Sequence, residues 1–410
     1  MLLAIRHGHE RKKNVNSTVQ STAAVENASA AGKSRRLHLK SGAIRGYSMV
    51  LALVLLWIIF ALLTDGIFLE ARNFSNLIRQ TAVTGLLSIG MVMVIITGQI
   101  DLSVGSLVGL SGMAAVLAQV LMHLGLVPSL LTALVVGLII GALQGWLTAY
   151  AGIPSFIVTL GGLLAWRGVT KGISRGNTYP VEIRSFKDLG QDYLSATTGT
   201  VLLVIAIVAI IALVLRRNLT RKRHGLEPWS VPGVLARIVI PSALVIAFVI
   251  ALNQYAGVPI PVLIFVGMAL IGVVVTQNTP FGRYLYAIGG NSEAAKLSGI
   301  NLRRHVLITF CILGVLSGVA GIIYTARVGS AGPDAGTLLE LDAIAACVIG
   351  GASLMGGRGT VIGACLGALF MASLDNGMSL RNVPDFIQDI VKGAILVAAV
   401  GLDVIGRQKD

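Results

Sequence analysis

Charge is scarce in this chain. Of its 410 residues only 12% are charged, while 55% are hydrophobic, and the mean hydropathy is +0.84. A soluble domain carries roughly 25% charged residues, so an ordinary water-exposed globule is excluded. Cysteine is scarcer still. Cys311, Cys347 and Cys365 lie at scattered spacing in apolar stretches, which is neither a disulfide framework nor a zinc pattern. The six histidines, at 7, 9, 38, 123, 224 and 305, have no ligand spacing, so no metal and no cofactor is expected. No nucleophile constellation occurs either, and the chain is not expected to be an enzyme. Gly32-Lys-Ser34 resembles the end of a phosphate loop, but the upstream glycine position holds Asn27. No strand precedes it, so no ATP site is expected.

What fills the chain is apolar runs. Spanning a bilayer takes about 20 apolar residues per helix, and such runs lie near 47–63, 80–97, 103–122, 128–150, 155–173, 199–215, 235–252, 258–276, 305–326, 340–355, 359–374 and 386–405. A closed β-barrel is the other way to span. It needs alternation, whereas Val201–Leu215 is apolar on every side. The expected fold class is all-α, a polytopic membrane bundle of about ten to twelve crossings. Residues 1–46 form a polar, basic tail, 47–405 the transmembrane domain with a cytoplasmic loop at 277–304, and 406–410 a cytoplasmic end. The tail's length before the first apolar run argues against a secretory signal; the first span is expected to anchor the chain.

The net charge of +14 is concentrated. Residues 1–46 hold nine Lys/Arg against Glu10 and Glu26, and 216–227 adds Arg216, Arg217, Arg221, Lys222 and Arg223 against Glu227. Both clusters flank apolar runs, the bias of cytoplasmic segments. Nucleic-acid binding would call for aromatics among the basic residues, and the tail has none before Tyr47, so no nucleic acid is expected. With a cytoplasmic tail, 64–79 and 174–198 come out external and 216–234 and 277–304 cytoplasmic. A cytoplasmic C-terminus then requires that 340–374 cross twice or turn back.

Glycine is organised. Gly137/Gly141/Gly145, Gly314/Gly318, Gly105/Gly109 and Gly359/Gly363/Gly367 repeat every fourth residue and predict close helix packing. Internal echoes pair Gly98–Gly109 with Gly351–Gly363, and Ile153-Pro-Ser-Phe-Ile157 with Val383-Pro-Asp-Phe-Ile387.

The loop 277–304 contains Asn291-Ser-Glu293-Ala294-Ala295, then Gly299-Ile300. It reads as a short helix capped by Asn291 or Ser292, with Glu293 in its positive first turn and Gly299 ending it. Ala294 and Ala295 would offer a surface small enough to enter a cleft. The spacing is similar to that of the cytoplasmic loop by which ATP-driven importers contact their ATPase; a capped loop helix of no special role is the plain alternative.

Together with Ile100-Asp-Leu-Ser-Val-Gly-Ser106, Ile153–Leu160, Arg167-Gly168, Phe281-Gly-Arg283, Ala287–Asn291, Ser298-Gly-Ile300 and Gly350–Gly357, the chain resembles the ribose/xylose/arabinose branch of bacterial sugar ABC permeases. Glu340–Gly350, Met371–Ser379 and the basic insert near 216–230 resemble its xylose members. The resemblance covers about 44–405. It implies a multi-pass protein of the bacterial inner membrane that passes a pentose, D-xylose, into the cytoplasm by alternating access. It also implies as partners a cytoplasmic ATPase, a periplasmic sugar-binding protein and a second copy of the chain. The coupling residues would be Asn291, Glu293, Ala294, Ala295, Gly299 and Ile300. Arg72, Arg79 and Arg327, at outer ends of spans, are candidates for docking the binding protein.

Asp101 lies within an apolar stretch, where a carboxylate is costly and often functional. It reads first as a helix cap, with Ser103, and second as a lining group on the sugar path. Arg167 either snorkels outward or pairs with an acid. A secondary, ion-coupled sugar carrier is the alternative from another class. It should show several intramembrane acids, and Asp101 reads as nearly alone.

Overall fold

The computed structural model describes residues 49–407, with side-chain environments to Gly401. The chain divides into residues 1–52 and a compact unit, 53–410. The basic tail 1–46 and residues 408–410 lie outside the described residues.

The helices are α1 (Met49–Leu63), α2 (Ala71–Ile96), α3 (Val104–Val120), α4 (Leu126–Ala149), α5 (Ser155–Ser174), α6 (Arg184–Gln191), α7 (Ala196–Arg223), α8 (Val231–Asn253), α9 (Ile260–Asn278), α10 (Pro280–Gly290), α11 (Ser292–Leu297), α12 (Leu302–Val328), α13 (Leu339–Ile349), α14 (Val361–Leu380) and α15 (Asp385–Arg407). Among the described residues, seven helices are long and apolar enough to cross a membrane: α2, α4, α7, α8, α9, α12 and α14. α1 and α3 are shorter and apolar; α5 and α15 have spanning length, 20 and 23 residues, but carry charges. This is a polytopic helical membrane fold.

Helix ends cluster into two layers. On one, β1 (Tyr179–Pro180) pairs antiparallel with β2 (Ser330–Ala331), Leu194 N–H donates to Val258 O, and Tyr193 meets Tyr255 edge-on. On the other, Ile100 N–H donates to Ser155 Oγ and Gly357 N–H to Ile96 O. The first layer holds the segments expected outside, the second those expected in the cytoplasm. The external segment 174–198 also forms α6, an amphipathic helix that buries Phe186.

Burial follows the hydrophobic pattern. α2 is enclosed on every side from Thr81 to Ile96, as a helix apolar all round should be, and α12 lies beside it in the main core. By contrast α7 and α8 leave Val204, Ile205, Val208, Leu235, Val239 and Leu244 bare, a face suited to lipid. The expected glycine faces meet. A Cβ on Gly137 would strike the Gly314 carbonyl and one on Gly314 the Gly137 carbonyl, while Gly141 abuts Phe310 and Gly145 abuts Leu307. α4 and α12 therefore pack antiparallel at backbone distance.

The region 340–374 turns back on itself. α13 has 11 residues, 350–360 is irregular, and α14 returns to the outer layer. α2–α5 and α12–α15 thus run as two sets whose corresponding helices point in opposite senses, an inverted repeat. The second echo fits this order, since 153–157 opens α5 and 383–387 opens α15. The first does not: 98–103 follows α2, whereas 351–360 follows α13. Those two segments are neighbours instead, and a Cβ on Gly356 would touch Gly98 N at 3.0 Å.

Candidate functional site

At the second layer, α10 and α11 follow one another with a break at Asn291. Thr279 Oγ1 accepts from Gly282 N to open α10. Asn291 Oδ1 accepts from Ala294 N at 2.9 Å to open α11, as its sequence position predicts. Glu293 sits in the first turn and Lys296 in the last, both matched to the helix dipole. Ser298 Oγ donates to Ala294 O, and Gly299 leaves the helix at φ +82°. Ala294 is exposed but Ala295 is buried, so the two alanines do not form one outward surface. Ala295 anchors the helix, and the outward face is Ser292, Glu293, Ala294, Lys296 and Leu297, the last 89% exposed. Ile300 is half-buried and its N–H donates to Ala295 O.

Within the spans, Asp101 is buried in the break between α2 and α3. Its Oδ1 accepts from Ser103 N and Ser103 Oγ, both at 2.7 Å, and Gln144 Nε2 donates to Ser103 Oγ at 2.8 Å. Ser103 holds the N-cap position of α3, with its side chain turned to Asp101. The expected side-chain cap is not made, because Ser103 accepts no amide of α3 and Asp101 bonds only to Ser103. Asp101 instead organises the turn that leads into α3.

Asp101 is not nearly alone. Glu340 and Asp342 are buried on α13, and Lys392 Nζ lies 3.3 Å from Asp342 Oδ2 and 3.0 Å from Asp375 Oδ1. The second contact has the distance of an ion pair but not hydrogen-bond geometry. This triad ties α13, α14 and α15 together. Each member looks isolated in its own apolar run, because the partners are up to 50 residues apart.

At the outer layer Arg72 is exposed. Arg79 is half-buried, its guanidinium 5.4 Å from the Tyr193 ring centre, and its Nε is buried without a partner. Arg327, half-buried at the end of α12, lies within electrostatic reach of Arg79. The fold thus brings Arg79 and Arg327 together and leaves Arg72 apart on the surface. Arg167 neither snorkels freely nor pairs with an acid: its Nη1 donates to Ala335 O at 3.1 Å and Thr337 Oγ1 at 2.8 Å. Beside it, Lys171 and Asp334 pair at 2.9 Å. The hydrogen bond and charge of that lysine hold the exposed Asp334 carboxyl below the usual range.

An apolar helical bundle with broken spans, an inverted repeat and a capped pair of short helices at one end defines a multi-pass membrane transport protein. The family model described as "Branched-chain amino acid transport system / permease component" matches residues 73–400. The chain is 47% identical over 372 residues to the xylose transport system permease protein XylH of Escherichia coli strain K12, covering 91% of this chain and 95% of that one. It is 46% identical over 371 residues to XylH of Haemophilus influenzae, covering 90% and 99%. To the ribose import permease protein RbsC of Bacillus subtilis it is 36% identical over 369 residues, covering 90% and 95%. No solved structure matches it. The chain belongs to this permease family.

Proposed function

We propose that this chain is the membrane-spanning permease subunit of an ATP-driven importer in a bacterial inner membrane, passing D-xylose inward by alternating access. The observation that carries the reading is the 47% identity, across nearly the whole chain, to a xylose transport permease; the ribose permease is more distant at 36%. ATP is hydrolysed by a separate cytoplasmic subunit, and a periplasmic sugar-binding protein delivers the sugar. Two copies of the chain face two copies of the ATPase, since an ATPase pair offers two equivalent docking clefts.

Asn291–Ile300 is the coupling element, presenting Glu293, Ala294, Lys296 and Leu297 to the ATPase, with Gly299 setting the exit of the helix. Arg79 and Arg327, with Arg72 further out, receive acidic groups of the binding protein. Asp101 and Ser103 shape the entry to α3 rather than bind sugar. The Asp342–Lys392–Asp375 triad is the kind of feature an ion-coupled carrier would show. Its lysine balances one of the two carboxylates, however, and it spans three packed helices, which suits a structural clamp.

Competition for uptake tests the substrate. In cells whose only xylose permease is this chain, with its ATPase and binding protein, unlabelled D-xylose should suppress accumulation of labelled D-xylose, and equimolar ribose should not. Equal suppression by both would overturn the assignment to xylose.

A further inference from the structure

Gly289 and Gly290 end α10 side by side, yet their surroundings differ. A Cβ on Gly289 would overlap the carbonyl oxygen of Ile96 and come within 2.5 Å of Gly357 N, whereas a Cβ on Gly290 would meet nothing within 4 Å. Ile96 is the last residue of α2, and its carbonyl accepts from Gly357 N–H at 2.9 Å. Three backbone strands therefore meet here: the end of α10, the end of α2 and the irregular segment after α13. Gly356 and Gly357 have φ of +87° and +73°, a region that L side chains rarely adopt.

The contact is reinforced along α10. Tyr286 Oη donates to Gly359 O at 2.8 Å, Leu285 and Ile288 are buried, and Phe281 stacks on His305 with ring centres 5.6 Å apart. Below the junction lie the two interruptions of the membrane helices. Residues 97–103, with Asp101, follow Ile96 directly, and 350–360 contains Gly357 itself.

We propose that the Gly289–Ile96–Gly357 junction, with Tyr286, is where movement of the cytoplasmic helix pair enters the membrane domain, and that it drives both helix breaks at once. The inference rests on α10–α11 being the ATPase-docking element. A contact between side chains can be absorbed by a change of rotamer; a contact between backbones cannot, so a shift of α10 must displace Ile96 and Gly357 together. Gly289 is a positioning residue, kept small so that these backbones touch.

The test uses the assembled transporter, with ATPase and sugar-binding protein, and reads sugar transported per ATP hydrolysed. Gly289→Ala should leave membrane abundance and ATPase retention on pull-down normal while lowering that ratio by about tenfold, the range over which residues along a coupling route act. Gly290→Ala, with open space at its Cβ, should stay within about twofold of wild type by the same measure. Tyr286→Phe, which removes one hydroxyl and adds no bulk, should lower the ratio without affecting ATPase retention. Equal ratios for Gly289→Ala and Gly290→Ala with the ATPase bound would overturn the proposal. Should Gly289→Ala be degraded, an unchanged ratio in Tyr286→Phe would overturn it. Failure of the underlying reading looks different: Gly299→Val would then keep its ATPase and transport normally.

Discussion

Lys392 and Asp342 are joined across the membrane domain, ammonium to carboxylate at 3.3 Å, with Asp375 3.0 Å away on a third helix. Removing one partner of a buried ion pair costs about 3–5 kcal/mol, because the other charge is left behind. Lys392→Met should therefore lower the melting temperature of the detergent-solubilised permease markedly. Lys392→Met with Asp342→Asn should recover part of the loss, since one stranded charge is gone. A single mutant that melts at the wild-type temperature would mean that the triad does not clamp α13, α14 and α15.

Asp101 offers a test of role by substitution. Its Oδ1 accepts two hydrogen bonds from Ser103, and an asparagine oxygen can accept both. Asp101→Asn should keep near-normal uptake, while Asp101→Ala should lose about 1–3 kcal/mol of stability from the unsatisfied donors. Uptake abolished in Asp101→Asn at wild-type abundance would point to a role for the charge on the sugar path.

Much of this was legible in the sequence, and what was not has a common cause. Glycine spacing predicted faces for close packing, because a four-residue repeat places small residues on one side of a helix; that the faces of α4 and α12 meet is seen only in the fold. Asn291 was legible as a cap because capping is local. Asn73 and Asn376, whose amides exchange hydrogen bonds at 2.8 and 3.0 Å across 303 residues, carried no local signal. Asn73 lies in the first part of α2, which starts at Ala71 rather than at the apolar run near 80, and Asn376 lies on α14: the pairing of Asn73 lets polar residues continue the helix. The inward turn of Ala295 was hidden because two adjacent alanines look equivalent until a neighbour covers one of them. The hairpin in 340–374 was blurred by a short α13 and a glycine-rich return with no helical period.

Gly299 gives a prediction about assembly. Its φ of +82° costs about 1–2 kcal/mol for a residue with a Cβ, while the space around its Cβ is open. The strain of Gly299→Val is therefore confined to the exit of α11. Wild-type abundance in the membrane is expected, with the ATPase lost on pull-down and uptake lost with it. Uptake at the wild-type rate, or failure through degradation alone, would remove this loop as the coupling element.

Arg79 and Arg327 predict salt dependence. Attraction between charges on approaching proteins is screened over about 8–10 Å at physiological ionic strength, though less where the groups are half-buried. Both arginines are half-buried, so the binding protein's apparent affinity should fall modestly as salt rises. The Arg79→Ala/Arg327→Ala double mutant should bind more weakly at low salt and respond less to added salt. The same titration on Arg72→Ala separates the outer arginine from the inner two. A salt response unchanged in the double mutant would take Arg79 and Arg327 out of the interface.

The central claim, that a partner's ATP and not an ion gradient drives this permease, is tested most directly by sugar uptake in membrane vesicles. The vesicles carry the permease with its ATPase and binding protein, and uptake of labelled D-xylose is followed after addition of a protonophore, with and without ATP inside. The account predicts accumulation that persists under the protonophore while ATP is present and stops when ATP is withheld. Uptake that collapses with the protonophore despite ATP would contradict it.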